Sequence, residues 1–257
     1  MSPGGKGRLA FDDFRRPPDS WAFLEGEKFI RSALPGWARA LALLVREGET
    51  ASFPEFPQTL VLPSKKFNSL SRVQNSQGVL GVFDTAGGPG AADLFAKGRG
   101  PLILLQGVQD PGNVGVIIRS AAALGGSGLL ADKDSASPYQ DKALRASAGL
   151  ALAFPTARVS DPVSTLIEAK KSGFLRVAAA AHGGPLPLDS GKGAKIGGGS
   201  ERLSAKVLLV LGSEGSGLEN RVLEHCDRTW THPLEGGAES LNVAVAAALF
   251  LEARRHG

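Results

Sequence analysis

The chain is poor in cysteine. Cys226 is the only one in 257 residues, which excludes an intrachain disulfide and a cysteine-rich zinc site. No apolar run approaches the roughly 20 residues that a membrane-spanning helix needs. The first residues, MSPGGKGRLAFDDFRRPPDS, lack the apolar core of a secretory signal. No GxGxxG turn follows the first strand-like run after Pro101, and GxxxxGK[ST] is missing throughout, so the common nucleotide fingerprints are absent. Ser127, Ser213 and Ser216 each lack glycine two residues away on both sides, which removes a hydrolase elbow. The four histidines are scattered, and no metal is expected. Neither sign of charge dominates. Lys and Arg number 29 against 25 Asp and Glu, a net charge of +4, with a pI near 9.3. That mild excess is compatible with a nucleic-acid partner and is weak by itself. These features lead us to expect a soluble cytoplasmic protein.

What is present suffices for a folded core. Apolar residues make up 42% of the chain and charged residues 21%, ordinary for a soluble protein. Length allows one large domain or two small ones. Residues 1–20 are polar, with Pro17-Pro18, and read as a flexible arm. Residues 21–84 read as a small α/β unit. It has a helix from Glu25 to Leu34, strands at Leu41 to Val45, Thr59 to Leu62 and Val79 to Phe83, and a short helix from Lys65 to Leu70. The Gly- and Pro-rich start of residues 85–100 reads as a linker. From residue 101 to 257 strands and helices alternate, which predicts a mostly parallel sheet covered on both faces. The strands are Leu102 to Leu105, Gly128 to Ala131, Leu175 to Ala181 and Val207 to Leu211. The helices are Asn113 to Leu124, Asp141 to Ala148, Val163 to Lys171, Leu218 to His225 and about Leu241 to Arg254. Residues 183–203, rich in Gly, Ser and Lys, read as a mobile surface loop.

Three segments carry the chemistry. They are Asp110 to Gly115 followed by Arg119, Leu211 to Leu218, and Ser240 to Ala246. Each couples a polar or Gly-rich turn to a helix start, where unpaired backbone N–H groups suit polar ligands. Each also has a plainer reading. Pro111-Gly112 suits a simple turn with Asn113 as helix cap, Glu214 suits a solvated loop charge, and Ser240 suits a helix cap. The last helix is apolar all round, which calls for burial on every side, and a second subunit is the natural cover.

At these residues the chain resembles the SpoU, or TrmH-like, family of RNA ribose methyltransferases of the SPOUT superfamily. The family pattern N-x-G-x-x-x-R is matched by Asn113, Gly115 and Arg119. L-G-x-E-G-x-G-[LM] is matched from Leu211 to Leu218. Pro233-Leu234 and Ser240 to Ala247 match the third motif, with Ala244 in place of a frequent serine. Residues 21–84 resemble, more loosely, the small RNA-binding domain that precedes the catalytic domain in many members. The resemblance implies a parallel α/β domain with a trefoil knot, a feature that ordinary folding rules would exclude. It implies a homodimer, S-adenosylmethionine as cofactor, and methyl transfer to a ribose 2′-hydroxyl of RNA, ribosomal RNA first. Transfer RNA, or a silent RNA-binding role, is the alternative. By the same resemblance cofactor contacts fall at Gly212, His232 and Leu241, with Leu211, Leu234 and Asn242 nearby. His232 replaces a commonly apolar residue, which a backbone contact tolerates. Arg119 takes the central catalytic role, with Asn113, Glu214, Ser240 and Asn242 orienting it and the ribose. From the charge pattern, Lys65, Lys66 and Arg72 are the expected phosphate contacts of the first unit, and the resemblance adds Arg119 in the site. The plainer reading there is a solvated face.

Overall fold

In both sheets the central strands are continuous apolar runs. The computed structural model describes residues 8–98, 100–180, 206–232, 234 and 239–256. The first part holds α1 (Phe11–Arg15), β1 (Trp21–Glu25), α2 (Glu27–Ala33), β2 (Arg39–Arg46), β3 (Thr59–Leu62), α3 (Ser64–Leu70) and β4 (Val79–Asp84). Its sheet runs β1-β4-β2-β3, with β4 antiparallel to both neighbours and β3 parallel to β2. Side chains alternate faces along a strand. Leu44, Leu80 and Val82 face Phe14 of α1 and Phe67 of α3. Leu43, Val45 and Phe83 face the other way, with Ile30 of α2.

The second part holds α4 (Ala91–Lys97), β5 (Leu102–Leu105), α5 (Pro111–Ala123), β6 (Gly128–Asp132), α6 (Asp141–Ala146), β7 (Thr156–Val159) and α7 (Pro162–Lys171). It continues through β8 (Leu175–Ala179), β9 (Val207–Leu211), α8 (Asn220–Leu223), β10 (Arg228–Trp230) and α9 (Val243–His256). All pairings are parallel, in the order β10-β8-β9-β5-β6-β7. Ile103, Leu105, Leu209 and Leu211 meet α5 and α9 on one face. Leu102, Leu104, Leu208 and Val210 meet α4 and the α7–α8 side on the other. Burial on both faces explains why LILL and VLLVL show no alternation. The strand order reverses between β5 and β9. Open parallel sheets place ligands at such a switch, beyond the carboxyl ends of the strands.

Several expectations need correction. Residues 8–20 are not a loose arm: Phe14 is buried and packs 5.9 Å from Trp21, and Leu9 exchanges two hydrogen bonds with Gln58. Residues 85–100 are not a plain linker either. Asp93 accepts from the Gly90 amide at the start of α4, and Leu94 and Phe95 bury into the second core. The glycines and Pro89 end where an apolar helix begins. Trp21 to Glu25 is a strand, so α2 begins only after Gly26. The strand β7, the short edge strand β10 and a 3-10 turn at Leu150–Leu152 were not expected. The two parts also share one core. Ile30 and Phe83 cluster with Leu144, Leu152 and Phe154, and Trp37 Nε1 donates to the Phe154 carbonyl at 3.1 Å. The expected loop 183–203 and Pro233 lie outside the described residues.

Candidate active site at the carboxyl ends of β5 and β9

The loops leaving β5 and β9 start side by side. Leu105 pairs with Leu211, and the Gln106 amide donates to the Leu211 carbonyl at 2.9 Å. The first loop enters α5 through Asp110, whose carboxylate accepts from the Gly112 amide at 3.0 Å, with Pro111 at the first helical position. Asn113 is therefore not the cap, and its amide is released for another partner. Lys142 of α6 pairs with Asp110 at 2.6 Å. That hydrogen bond first, and the Gly112 amide second, hold the Asp110 carboxyl below the usual range.

The second loop folds back tightly. Ser213 and Gly217 exchange backbone hydrogen bonds at 3.2 and 3.0 Å, and the Ser213 and Ser216 hydroxyls lie 2.7 Å apart. A Cβ on Gly212 would sit 2.3 Å from the Gly217 carbonyl carbon, so only glycine permits this closure. Gly115 answers a different need. A Cβ there would lie 2.4 Å from the Ala143 carbonyl oxygen, so this glycine lets α5 and α6 touch.

The third segment meets the other two. Asn242 Nδ2 donates to Glu214 Oε1 at 3.0 Å and to Asn113 Oδ1 at 3.1 Å, and Asn113 Nδ2 donates to the same Glu214 oxygen. Asn242 Oδ1 accepts from the Ala244 and Val245 amides. Asn242, not Ser240, thus caps α9, and the helix starts two residues later than expected.

Two clefts flank the loop Ser213 to Ser216. One, about 370 Å³, is lined by Leu211, Gly212, His232, Leu234, Ser240 and Leu241 among others. Those include every expected cofactor residue except Asn242, which faces the junction with Glu214. The other, about 320 Å³, is lined by Gly107 to Asp110 and Asn113. His232 stands 6.1 Å from the Trp230 ring, and its Nδ1 is buried with no hydrogen-bond partner among the described residues. Arg119 is exposed on α5 and has no hydrogen-bond or ion-pair partner among the described residues. The structure does not bring it to Asn113. Of the expected RNA contacts, Arg72 pairs with Asp141 at 2.6 Å, Lys66 lies over the Phe11 ring, and Lys65 is exposed.

Sequence reasoning missed two supports. Gln106, buried at the end of β5, exchanges hydrogen bonds with the Glu219 backbone and carboxylate and so fixes the exit of the second loop. Asp132, buried at the end of β6, accepts from the Gly107 amide and from Ser135. A polar residue closing each apolar run was the only signal. Among the described residues no cluster of ligating side chains could hold a metal, and no helix is long and apolar enough to cross a membrane.

Sequence and fold comparisons point to one family. A protein of Mycobacterium avium named as an uncharacterized tRNA/rRNA methyltransferase is 38% identical over 58% of this chain and 45% of its own length. A Mycobacterium tuberculosis protein with a like name is 36% identical over 71% and 61%. The chain thus spans about half the length of the curated relatives it matches. A TrmH-family structure from Porphyromonas gingivalis is 27% identical, covers 97% of this chain and 94% of its own, and superposes with a TM-score of 0.76. The fold is shared with the SpoU methyltransferase AviRb of Streptomyces viridochromogenes, solved with AdoMet, at 24% identity, 96% of both chains and a TM-score of 0.76. The SpoU rRNA methylase family matches residues 100–252, more than half of the sequence and all three segments of the site, and the chain belongs to that family.

Proposed function

We propose that the protein is an S-adenosylmethionine-dependent methyltransferase acting on a ribose 2′-hydroxyl of RNA, and that the RNA is ribosomal. One observation carries the reading: Asn113, Glu214 and Asn242, from three separate segments, join by hydrogen bonds between two clefts. The larger cleft suits the cofactor. Leu211, Leu234 and Leu241 offer apolar walls for adenine, while Glu214 and Glu239 suit a cationic sulfonium and ammonium. No lysine or arginine is among its described lining residues. Related folds solved with AdoMet bound, AviRb and a Sinorhizobium meliloti rRNA methyltransferase, support this choice.

When bound, S-adenosylmethionine supplies a methyl group activated on sulfur. The chain's own part is to position and polarise. Glu214 Oε1 takes both amide donors, which leaves Oε2 without a partner among the described residues and able to accept from the ribose 2′-hydroxyl. Asn242 is held at both ends of its amide, so the carboxylate cannot drift. Arg119 holds the phosphate on the 3′ side of the target and stabilises the developing oxyanion. A guanidinium holds its proton too firmly to serve as a base. Ser240, at the lip of the cofactor cleft, orients the ribose from the other side.

Ribosomal RNA is preferred for a specific reason. The Sinorhizobium fold named as an rRNA methyltransferase covers 96% of this chain, first sheet included. A structure described for 2-OH methylation of C/U34 on tRNA covers 61%, with a TM-score of 0.50. We assign residues 21–84 to RNA selection, and 101–257 to a knotted methyltransferase domain that works as a homodimer in the cytoplasm. Val116 on α5 and Val245 on α9 support the dimer, since these packed helices leave both valines exposed. The test is methyl transfer from labelled cofactor to ribosomal RNA or transfer RNA taken from cells lacking the gene. Nuclease digestion and mass spectrometry should find a 2′-O-methylated nucleoside from ribosomal RNA. Label on a base, or only in transfer RNA, would overturn the proposal.

A further inference from the structure

A reacting nucleotide is one link of a longer strand, and its neighbours carry phosphates that need cations. A row of basic side chains leads away from the second cleft, over α6, to the first sheet. Asp110, which lines that cleft, pairs with Lys142. Arg145 lies three residues further along α6, and side chains at that spacing are neighbours on a helix. Between them Ala143 and Leu144 are buried, so Lys142 and Arg145 share the exposed side. Arg145 has no hydrogen-bond or ion-pair partner among the described residues. It lines a small cleft together with Arg72, which follows α3, and with Asp141.

We propose that Lys142, Arg145 and Arg72 form a phosphate-binding track for the RNA strand that flanks the target nucleotide. The inference rests on the RNA reading of the site and extends it to a surface of α6. Two of the three cations are engaged, but loosely. Their side chains are 60% exposed for Lys142 and 63% for Arg72, and ion pairs so open to water contribute only about 0–1 kcal/mol. A phosphate can replace the carboxylate at little cost. The remaining acid of the small cleft, Glu25, is occupied by the Ser71 hydroxyl at 2.8 Å. The track is also fixed in shape, because its ends sit on the two parts of the protein that share one hydrophobic core. It begins at the carboxyl side of the parallel sheet, where the reactive residues lie.

The test is binding of a mixed-sequence single-stranded RNA of about 20 nucleotides, longer than common single-strand site sizes. Anisotropy is followed between roughly 50 and 200 mM salt. The variants are Lys142→Ala/Arg145→Ala and the charge-keeping Lys142→Arg/Arg145→Lys. The alanine pair should bind about tenfold more weakly at low salt, with a log–log slope flatter by about 1.4, or 0.7 per lost cation. The charge-keeping pair should match wild type, and calorimetric affinity for S-adenosylmethionine should be the same in all three. An unchanged slope in the alanine pair, with wild type still binding, overturns the track and leaves the RNA reading standing. Equal losses in both pairs would place the effect in the fold and overturn it too. A wild type without salt-dependent RNA binding removes both the track and the reading beneath it.

Discussion

Arg119 lies six residues beyond Asn113 on α5, a rise of about 9 Å, and touches none of the groups joined at Glu214. An exposed guanidinium without a partner among the described residues is suited to meet a phosphate that arrives with the substrate. Arg119→Ala should lower single-turnover methylation about 100-fold or more, the scale of a lost charge-stabilising donor, with cofactor affinity nearly unchanged. Near-normal turnover would remove Arg119 from the chemistry. His232 makes the opposite case. Its Nδ1 is buried without a described partner, and such an atom costs roughly 1–3 kcal/mol. The ring serves as a wall beside Trp230. His232→Leu should therefore raise the unfolding free energy by about 1 kcal/mol, measured by urea, and leave calorimetric affinity for S-adenosylmethionine within a few-fold. A large loss of cofactor binding would mean that the imidazole itself makes the contact.

At the scale of elements, β10 is the weak point of the cofactor wall. It has three residues at the sheet edge and carries Trp230 toward His232. Asp227, just before it, is tied to buried Arg176 of β8. Its carboxylate accepts from Arg176 Nε at 2.9 Å, from the second guanidinium arm at 2.5 Å, and from the Arg176 amide. Burial pushes the Asp227 carboxyl up, but the bonds from Arg176 outweigh it and the net shift is downward. A depressed carboxyl stabilises the fold above its unfolded pKa of about 3.9, and loses that contribution as pH falls through the lower folded value. Asp227→Asn leaves a buried guanidinium unpaired. It should cost about 3 kcal/mol near neutral pH, by denaturant unfolding, with a flatter stability profile below about pH 4 than wild type. A variant as stable as wild type would show that the pair does not hold β10.

The same elements show what a sequence conveys. LILL and VLLVL were readable because central parallel strands are apolar throughout. TARV and RTW were not, because short edge strands bury too little to stand out. Of the helix starts that were misplaced, those of α5 and α9 share one reason. Asp110, Asn113, Ser240 and Asn242 are all good caps by type, and only backbone geometry selects among them. The site fared better. The motifs named residues that the structure brings together: Asn113, Glu214 and Asn242 at the junction, and Leu211, Gly212, His232, Leu234 and Leu241 along one cleft. Gln106 and Asp132, which fix the loops from behind, carry no local pattern that marks them. Strand order is a long-range property, and neither sheet's order could be read from periodicity.

At the scale of the whole molecule, assembly turns on the exposed side of α9. The expectation of apolar surface on every side holds only in part. Phe250 and Ala247 are fully buried within the protomer, while Val245 is 47% exposed and Leu249 half-buried. Phe250→Asp would consequently unfold the protomer and say nothing about assembly. Val245 is the informative position. In a lone protomer an aspartate there faces water and is tolerated. In the proposed dimer it is buried without a partner, at a cost of several kcal/mol. Each 1.4 kcal/mol is tenfold in a dissociation constant, so Val245→Asp should weaken the dimer by roughly 100-fold or more. Sedimentation equilibrium across micromolar concentrations measures this, and far-ultraviolet circular dichroism checks that the variant stays folded. A folded monomer from Val245→Asp, beside a dimeric wild type, would place the subunit contact on the α5–α9 face. A variant as dimeric as wild type would move the contact elsewhere, and a monomeric wild type would end the dimer proposal.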